Sequence, residues 1–197
     1  MKNMESFRKN PGGSPADEDL VRAFQAGSEE AFHVLFDRYG DRAFFYALGV
    51  TRSETLAEEA VQEAFFSFLK GLERFRPGGE GSFRAWLFRA VRSRALDLLR
   101  KEGRLAPLPE GDGPPLFEEG GTGPGAFEAG EVSRVLGRAL AALPREQRET
   151  VTLKVFEDMT FREIAGITGV SPNTAASRYR YGIEKLKALL GKGVKYG

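Results

Sequence analysis

A glycine- and proline-rich stretch separates two regions of helical hydrophobic pattern in this chain. Residues 103–130 contain eight glycines and five prolines, and their charged residues are five acids and one arginine. Such a composition cannot bury enough apolar surface to offset the loss of chain entropy on folding. The stretch therefore predicts a flexible linker of 28 residues, with a typical span of about 30 Å.

Apolar residues recur at helical spacing on both sides of this stretch. Ser28 and Ser82 are expected N-caps of two helices, and the helix before Ser82 is expected to include Leu72 and Phe75 and to stop at Pro77. The sequence predicts an all-α protein of two small helical domains joined by a flexible linker. Its parts are a disordered lead (1–16), a four-helix domain (17–102), the linker (103–130), a helix-turn-helix domain (131–190) and a tail (191–197).

Composition excludes several classes of protein. The chain has 197 residues, a net charge of +1 and no cysteine, so it has no disulfide and no cysteine-bound metal. No apolar run approaches the roughly 20 residues that span a bilayer, and the N-terminus lacks the apolar core of a signal peptide. The single histidine, His33, is expected on the surface. We therefore expect a cytoplasmic protein without a membrane partner, with no cofactor and no catalytic residue.

Residues 160–190 have the pattern of a helix-turn-helix. Thr160 and Glu163 form the T-x-x-E capping box that begins a helix. Gly169 can adopt the left-handed conformation of a sharp turn, and Ser171 is a suitable N-cap for the next helix. This motif predicts DNA binding, but it suits repressors, response regulators and initiation factors equally.

The second helix of this motif has one apolar and one polar face. The polar face offers amide, hydroxyl and guanidinium groups, which read base edges in a major groove. Its members are Asn173, Ser177, Arg180, Tyr181 and Glu184. Arg178, Lys185 and Lys187 flank this face and could neutralise phosphates. The alternative is a solvated polar helix face.

Two further surfaces allow a functional and a structural interpretation each. Seven basic and two acidic residues lie between Arg84 and Arg104, which fits either a second DNA contact or a solvated helix face. The preceding helix carries an acidic ridge, Glu59, Gln62 and Glu63, beside apolar residues. This ridge could dock on a basic helical partner, or it could simply be solvated.

Four ordered segments carry a resemblance to a known family. They are AEEAVQEAFFSFL (57–69), FRAWLFRAVRSRALDLLR (83–100), LPREQRETV (143–151) and TFREIAGITGVSPNTAASRYRYGIEKL (160–186). Together they resemble bacterial sigma factors of the sigma-70 family, in the small two-domain extracytoplasmic-function (ECF) group. The resemblance covers about residues 17–190.

The resemblance implies three sets of site residues. The residues implied to bind a coiled coil of core RNA polymerase are Glu59, Gln62 and Glu63 with Phe65, Phe66 and Leu69. Those implied to contact the −10 promoter element and a flipped base are Arg89, Arg92, Ser93, Arg94, Asp97 and Arg100. Those implied to read the −35 element are Asn173, Thr174, Ser177, Arg178, Arg180 and Tyr181. Ser93 stands where relatives often have Asn, and Tyr181 where they often have a basic residue, which leaves base preference open. Trp86 is expected to pack in the core.

The partners that the resemblance implies are core RNA polymerase and promoter DNA. An anti-sigma factor is usual for such proteins, although nothing in this chain requires one. Two rival interpretations remain at this point. One is a conventional helix-turn-helix regulator whose first domain senses a ligand or a protein, and the other is an adaptor that only sequesters partners.

Overall fold

The computed structural model describes residues 15–77, 82–103 and 131–193. Nearly all of the predicted linker, most of the predicted N-terminal lead and the end of the tail lie outside these residues. The regular elements in the described ranges are eight α-helices and a short 3₁₀ helix. The all-α, two-domain fold predicted from the sequence is confirmed.

The first domain consists of four helices around one core. Its helices are α1 (Asp17–Gln25), α2 (Glu29–Thr51), α3 (Glu54–Gly71) and α4 (Phe83–Lys101). α2 packs on α1, α3 and α4, and α3 packs on α4. An aromatic cluster lies near the C-terminal end of α3, where the Phe68 ring is 4.9 Å from that of Phe83 and 5.6 Å from that of Trp86. Trp86 thus packs against the core, as expected.

The second domain contains the helix-turn-helix. Its helices are α5 (Glu131–Ala141), α6 (Arg145–Val155), α7 (Phe161–Thr168) and α8 (Pro172–Gly193). α8 packs against all three others. It lies close to α6 at Gly182, where a Cβ atom would lie only 2.7 Å from Cγ2 of Val151. Glycine therefore allows these two helices to approach each other.

Helix ends agree with the sequence at most positions. The Ser53 and Ser82 side chains accept hydrogen bonds from the first turns of α3 and α4. Ser28 occupies the N-cap position of α2, but its side chain makes no capping hydrogen bond. Its expected role as a side-chain cap is therefore wrong.

The end of α3 also differs from the prediction. α3 stops at Gly71, Leu72–Arg74 forms the 3₁₀ helix, and Phe75 is extended. Pro77 disfavours helix at the residue before it, and the amide of Gln25 in α1 donates to the carbonyls of Leu72 (2.7 Å) and Phe75 (2.8 Å). These bonds satisfy carbonyls that a continued helix would have used. The chain then turns so that Phe75 meets Trp86, with ring centroids 5.6 Å apart.

The two domains pack directly on each other. α4 contacts α7, and α2 contacts α6. The apolar core of the first domain extends into the second through Leu153, Met159, Ile164 and Ile167, which are almost fully buried. The sequence predicted two bodies on a tether, and it did not predict this contact.

We expect Gly182→Ala to destabilise the second domain although alanine favours helix. The added methyl would collide with Val151, and overpacking of this kind typically costs about 1–3 kcal/mol. Denaturant unfolding should show the loss. Gly191→Ala in the same helix is the control, because nothing lies within 4 Å of its Cβ position; it should be neutral or stabilising by up to about 1 kcal/mol. Equal losses in both variants would contradict the close approach.

Candidate nucleic-acid and protein interfaces

The helix-turn-helix has the local geometry that the sequence predicted. The Thr160 side chain accepts from the Glu163 backbone N–H, and the Glu163 side chain accepts from the Thr160 backbone N–H. α7 ends at Gly169 with a left-handed φ of 75°. The Ser171 hydroxyl then accepts from the Thr174 N–H at 3.1 Å. The capping box thus marks the start of α7, Gly169 ends it, and the Ser171 bond marks the start of α8.

α8 presents a polar face to solvent and an apolar face to its own domain. Ala175, Gly182 and Leu186 are buried. Of the six predicted −35 residues, Arg178 is half-buried and the other five are exposed: Asn173, Thr174, Ser177, Arg180 and Tyr181. The structure therefore places all six toward the outside of this helix or at its edge.

Arg180 and Tyr181 form a pair on this exposed face. Nη2 of Arg180 donates to the Tyr181 hydroxyl at 3.2 Å. The Arg180 guanidinium carbon also lies 4.9 Å from the centre of the Tyr181 ring, within the range of a cation–π interaction. The tyrosine thus holds one side of the guanidinium and leaves its other donors available.

The predicted −10 residues of α4 do not share one free face. Arg89, Ser93 and Arg100 are exposed, although Arg100 is paired with Asp97 one turn earlier. Arg94 donates to the Ser67 hydroxyl at 3.3 Å and lies 3.5 Å from the Glu63 carboxylate. Arg92 turns toward the second domain. Its Nε donates to the Glu149 carboxylate at 2.6 Å, and the Glu149 side chain is only 1% exposed.

An open groove of about 340 Å³ lies between α3, the 3₁₀ helix and α4. Aromatic and basic side chains line it together. Its lining residues are Ser67, Phe68, Gly71, Arg74, Phe75, Arg76, Trp86 and Arg89. Of these residues, only Arg89 is a site residue predicted from the sequence. The available signal was the run of alternating arginine and phenylalanine just before the Pro-Gly-Gly break.

The acidic ridge of α3 is accessible beside an apolar surface. Glu59 and Gln62 are exposed and Glu63 is half-buried. Next to them, Phe66 is 60% and Leu69 is 38% exposed.

Phe65 differs from these neighbours. It is 4% exposed and packs inward, so it can only support the ridge from beneath. Phe36 of α2 was not predicted as a site residue; it is 46% exposed, and its ring centroid lies 5.0 Å from that of Phe65. Phe36 therefore belongs to the accessible apolar surface.

Ion pairs join the two domains. Arg42 of α2 and the Glu157 carboxylate are 2.7 Å apart, and the Glu157 side chain is 3% exposed. Arg84 of α4 donates to the Glu157 carbonyl at 2.8 Å and to the Glu163 carboxylate at 3.2 Å. Glu163 thus serves both its own capping box and the domain contact.

Two buried arginines anchor the end of α2 to the second domain. Arg148 donates to the Gly49 carbonyl at 2.6 Å and to the Leu143 carbonyl at 2.8 Å. Arg52, in a left-handed conformation at the end of α2, donates to the Ala141 carbonyl. Burial and the nearby charge of Arg52 lower the pKa of Arg148 to about 10. Carbonyl oxygens accept these hydrogens without supplying an opposite charge.

Comparison with known proteins identifies the family to which this chain belongs. Residues 35–105 match the model of sigma-70 region 2, and residues 133–186 match that of sigma-70 region 4. The chain is 31% identical over 175 residues to the RNA polymerase sigma factor CarQ of Myxococcus xanthus, covering 87% of this chain and 96% of CarQ. This chain belongs to the sigma-70 family, in its ECF group. As a sigma factor, it directs RNA polymerase to promoters.

Other relatives agree with this assignment. The ECF sigma-E factor of Escherichia coli K12 is 29% identical over 170 residues, covering 82% of this chain and 87% of the relative. The structure of CnrH in complex with the cytosolic domain of CnrY is 27% identical with a TM-score of 0.61, covering 90% of this chain and 99% of CnrH. The region 2 match also removes the alternative of a ligand-sensing first domain.

Two findings bear on other expectations. No helix in the described ranges is long and apolar enough to cross a membrane. Among the same residues, no group of histidine, aspartate and glutamate side chains is arranged to hold a metal ion.

Because of the Glu163 carboxylate in the capping box, we expect the free energy of unfolding to decrease at acid pH. Burial acts to raise the pKa of Glu163, but hydrogen bonds from Thr160 and the charge of Arg84 outweigh burial and lower it. A lowered folded-state pKa contributes stability above the unfolded value of about 4.3, and that stability is lost as the pH falls through the folded value. We therefore expect acidification below about pH 5 to reduce the unfolding free energy of the wild type more than that of Glu163→Gln.

Urea titrations at a series of pH values from neutral to acid would measure this difference. Glu184→Gln replaces an exposed glutamate of α8 and serves as the control. Parallel pH profiles for wild type and Glu163→Gln would contradict the assigned hydrogen bonds.

Proposed function

We propose that this sigma factor binds core RNA polymerase through the ridge of α3. Glu59, Gln62 and the partly exposed Glu63 would supply charged and polar contacts, and Phe66 and Leu69 would supply apolar area. An exposed phenylalanine surrounded by charged groups suits a protein interface, where an apolar centre provides affinity and charges fix register. Phe36 extends the same apolar surface.

We further propose that α8 reads the −35 element. The observation that carries this assignment is the exposed polar face of α8, which follows α7 directly after the left-handed turn at Gly169. Asn173, Ser177 and Arg180 have the side-chain types that hydrogen-bond base edges in the major groove. The pairing of Arg180 with Tyr181 favours one orientation of the guanidinium and so favours a single base preference.

The −10 element is assigned to α4 and the groove beside it. The groove has the size and the aromatic and basic lining that suit one unstacked base with its phosphate. Extruding a base costs a few kcal/mol, and stacking on an aromatic side chain returns about 1–3 kcal/mol. Ser93 and Arg89, both exposed, would contact the strand next to that base.

The factor itself would perform no covalent chemistry, and RNA synthesis would belong to the polymerase. Two DNA contacts on one chain raise joint affinity by effective concentration. The solved relatives CnrH and the RpoE of Bartonella quintana are each held by a second protein, named for RpoE as the anti-sigma factor NepR. We infer that an anti-sigma protein is a partner of this factor also.

Replacing Glu59, Gln62 and Glu63 together by lysine should abolish polymerase binding, because the ridge would repel a basic partner surface. Co-purification with core polymerase and run-off transcription would measure the loss. The matched control reverses Glu29, Glu30 and Asp37, three exposed acids of α2, and should leave binding within about twofold of wild type. Undiminished co-purification of the ridge variant, with a native circular dichroism spectrum, would refute the assignment.

Arg180→Ala should relax −35 preference by roughly 1–3 kcal/mol at one base position if Arg180 reads that base. Run-off transcription on a library of −35 sequences would give the preference. Lys187→Ala, an exposed cation further along α8, is the control and should weaken all promoters alike. A uniform loss in Arg180→Ala would demote Arg180 to a phosphate contact.

A further inference from the structure

One side chain of α1 is bonded to the segment that follows α3. Nε2 of Gln25 donates to the carbonyl oxygens of Leu72 at 2.7 Å and Phe75 at 2.8 Å. A primary amide carries two N–H hydrogens, so each carbonyl can receive one of them. The two carbonyls belong to the first residue of the 3₁₀ helix and to the residue after its end. Gln25 therefore ties residues 72–76, which we call the wall segment, to α1.

The way in which α1 ends holds the backbone of Gln25 in place. Gln25 is the last residue of α1, and Gly27 follows with a left-handed φ of 96°. The Gly27 N–H donates to the Phe24 carbonyl at 2.9 Å. The Ser28 N–H donates to the Ala23 carbonyl at 3.0 Å. These are the two hydrogen bonds of a Schellman motif, which ends a helix at a defined residue.

The wall segment contributes one side of the aromatic groove. The Phe75 ring meets the Trp86 ring edge-on, with centroids 5.6 Å apart and planes at 86°. Arg74 and Arg76, the neighbours of Phe75, line the groove with it. None of residues 72–76 is buried, whereas α3 and α4 on the other sides are anchored in the core of the first domain. The position of the wall segment therefore depends on its hydrogen bonds as well as on ring packing.

The residue before Gln25 connects α1 to the groove a second time. The Phe24 ring lies 6.1 Å from the Phe68 ring, and Phe68 is a lining residue that is only 1% exposed. Gln25 and Phe24 are not themselves among the lining residues. Two adjacent side chains of α1 thus support the groove from outside it.

We propose that Gln25 is a positioning residue for the −10 base that enters this groove. Its two hydrogen bonds hold Phe75 and the adjacent arginines in place before DNA arrives. The free energy of binding the base is then not reduced by the cost of ordering the wall segment. This inference rests on the proposed function in one respect, the assignment of the groove to the −10 base.

Two substitutions remove the amide donors and differ in charge. Gln25→Glu keeps the shape of the side chain, but a carboxylate only accepts hydrogen bonds and would face two carbonyl oxygens. Gln25→Met has a similar length, no donor and no charge. The matched control is Ala26→Glu, which places a carboxylate at the exposed neighbouring position and keeps both Gln25 bonds. Because Gln25 is exposed, all three variants should unfold in urea near the wild-type midpoint.

Trp86 reports directly on the groove, because it is the only tryptophan in the chain and lines this groove. In the free full-length protein, both Gln25 variants should shift Trp86 emission to longer wavelength and increase its quenching by acrylamide. A released wall segment would admit water and quencher to the indole. Ala26→Glu should keep the wild-type spectrum. A wild-type spectrum in both Gln25 variants would overturn the proposal.

The second measurement uses holoenzyme reconstituted with core RNA polymerase. Run-off transcription on a library of −10 sequences gives the ratio of activities with the preferred base and with the others at each position. Both Gln25 variants should lower this ratio about fivefold at one position, the equivalent of one typical hydrogen bond. Preference at −35 and co-purification with core polymerase should stay at the wild-type level.

The remaining outcomes separate the positioning role from the proposed function. A loss of activity that is equal on all promoters would make Gln25 a purely structural residue and overturn the proposal. An equal loss of −10 preference in Ala26→Glu would assign the effect to charge, with the same consequence. A changed Trp86 spectrum with an unchanged −10 ratio would instead refute the assignment of the groove to the −10 base and leave the tie between α1 and the wall segment standing.

Discussion

A guanidinium group removed from water requires acceptors for its hydrogens, and the contact between the two domains is organised around this requirement. Arg92 and Arg42 obtain a carboxylate from the second domain, whereas Arg148 obtains backbone carbonyls. The choice of acceptor has consequences. An ion pair between an arginine and a carboxylate has a defined geometry, and loss of the carboxylate leaves the arginine charge unpaired. Carbonyl acceptors hold position while leaving the positive charge in place.

This arrangement links the capping chemistry of the helix-turn-helix to the first domain. Glu163 begins α7 through its bonds with Thr160, and the same carboxylate receives Arg84. The orientation of α7 is therefore set both locally and by α4. Since Gly169 forms the turn from α7 to α8, the contacts of α7 with the first domain also influence the position of α8.

The features that the sequence predicted depend on residues that are close together in the chain. The T-x-x-E box and Gly169 determine the limits of α7, because the interacting atoms are three or four residues apart. The polar face of α8 could be read in the same way, from its period alone. The predictions of a flexible linker, an N-terminal lead and a C-terminal tail rest on composition. Most of the residues that they concern lie outside the described ranges.

The features that the sequence did not predict depend on contacts between segments that are far apart in the chain. Arg92 and Glu149 are 57 residues apart, and Arg42 and Glu157 are 115 apart. A basic run such as 84–104 predicts polyanion binding, but it does not reveal that two of its members, Arg84 and Arg92, are paired with carboxylates of the other domain. The inward packing of Phe65 beside the outward Phe66 likewise depends on which side of α3 meets α2.

Through the Gln25 amide, α1 supports the segment after α3 that lines the aromatic groove. α1 carries none of the residues assigned to polymerase or DNA, yet this single side chain bonds to both ends of the segment that forms the wall of the aromatic groove. Displacement of α1 would break these two hydrogen bonds, and the contact between the Phe75 and Trp86 rings would lose this support. Through these two hydrogen bonds, α1 supports the shape of a groove that it does not itself line.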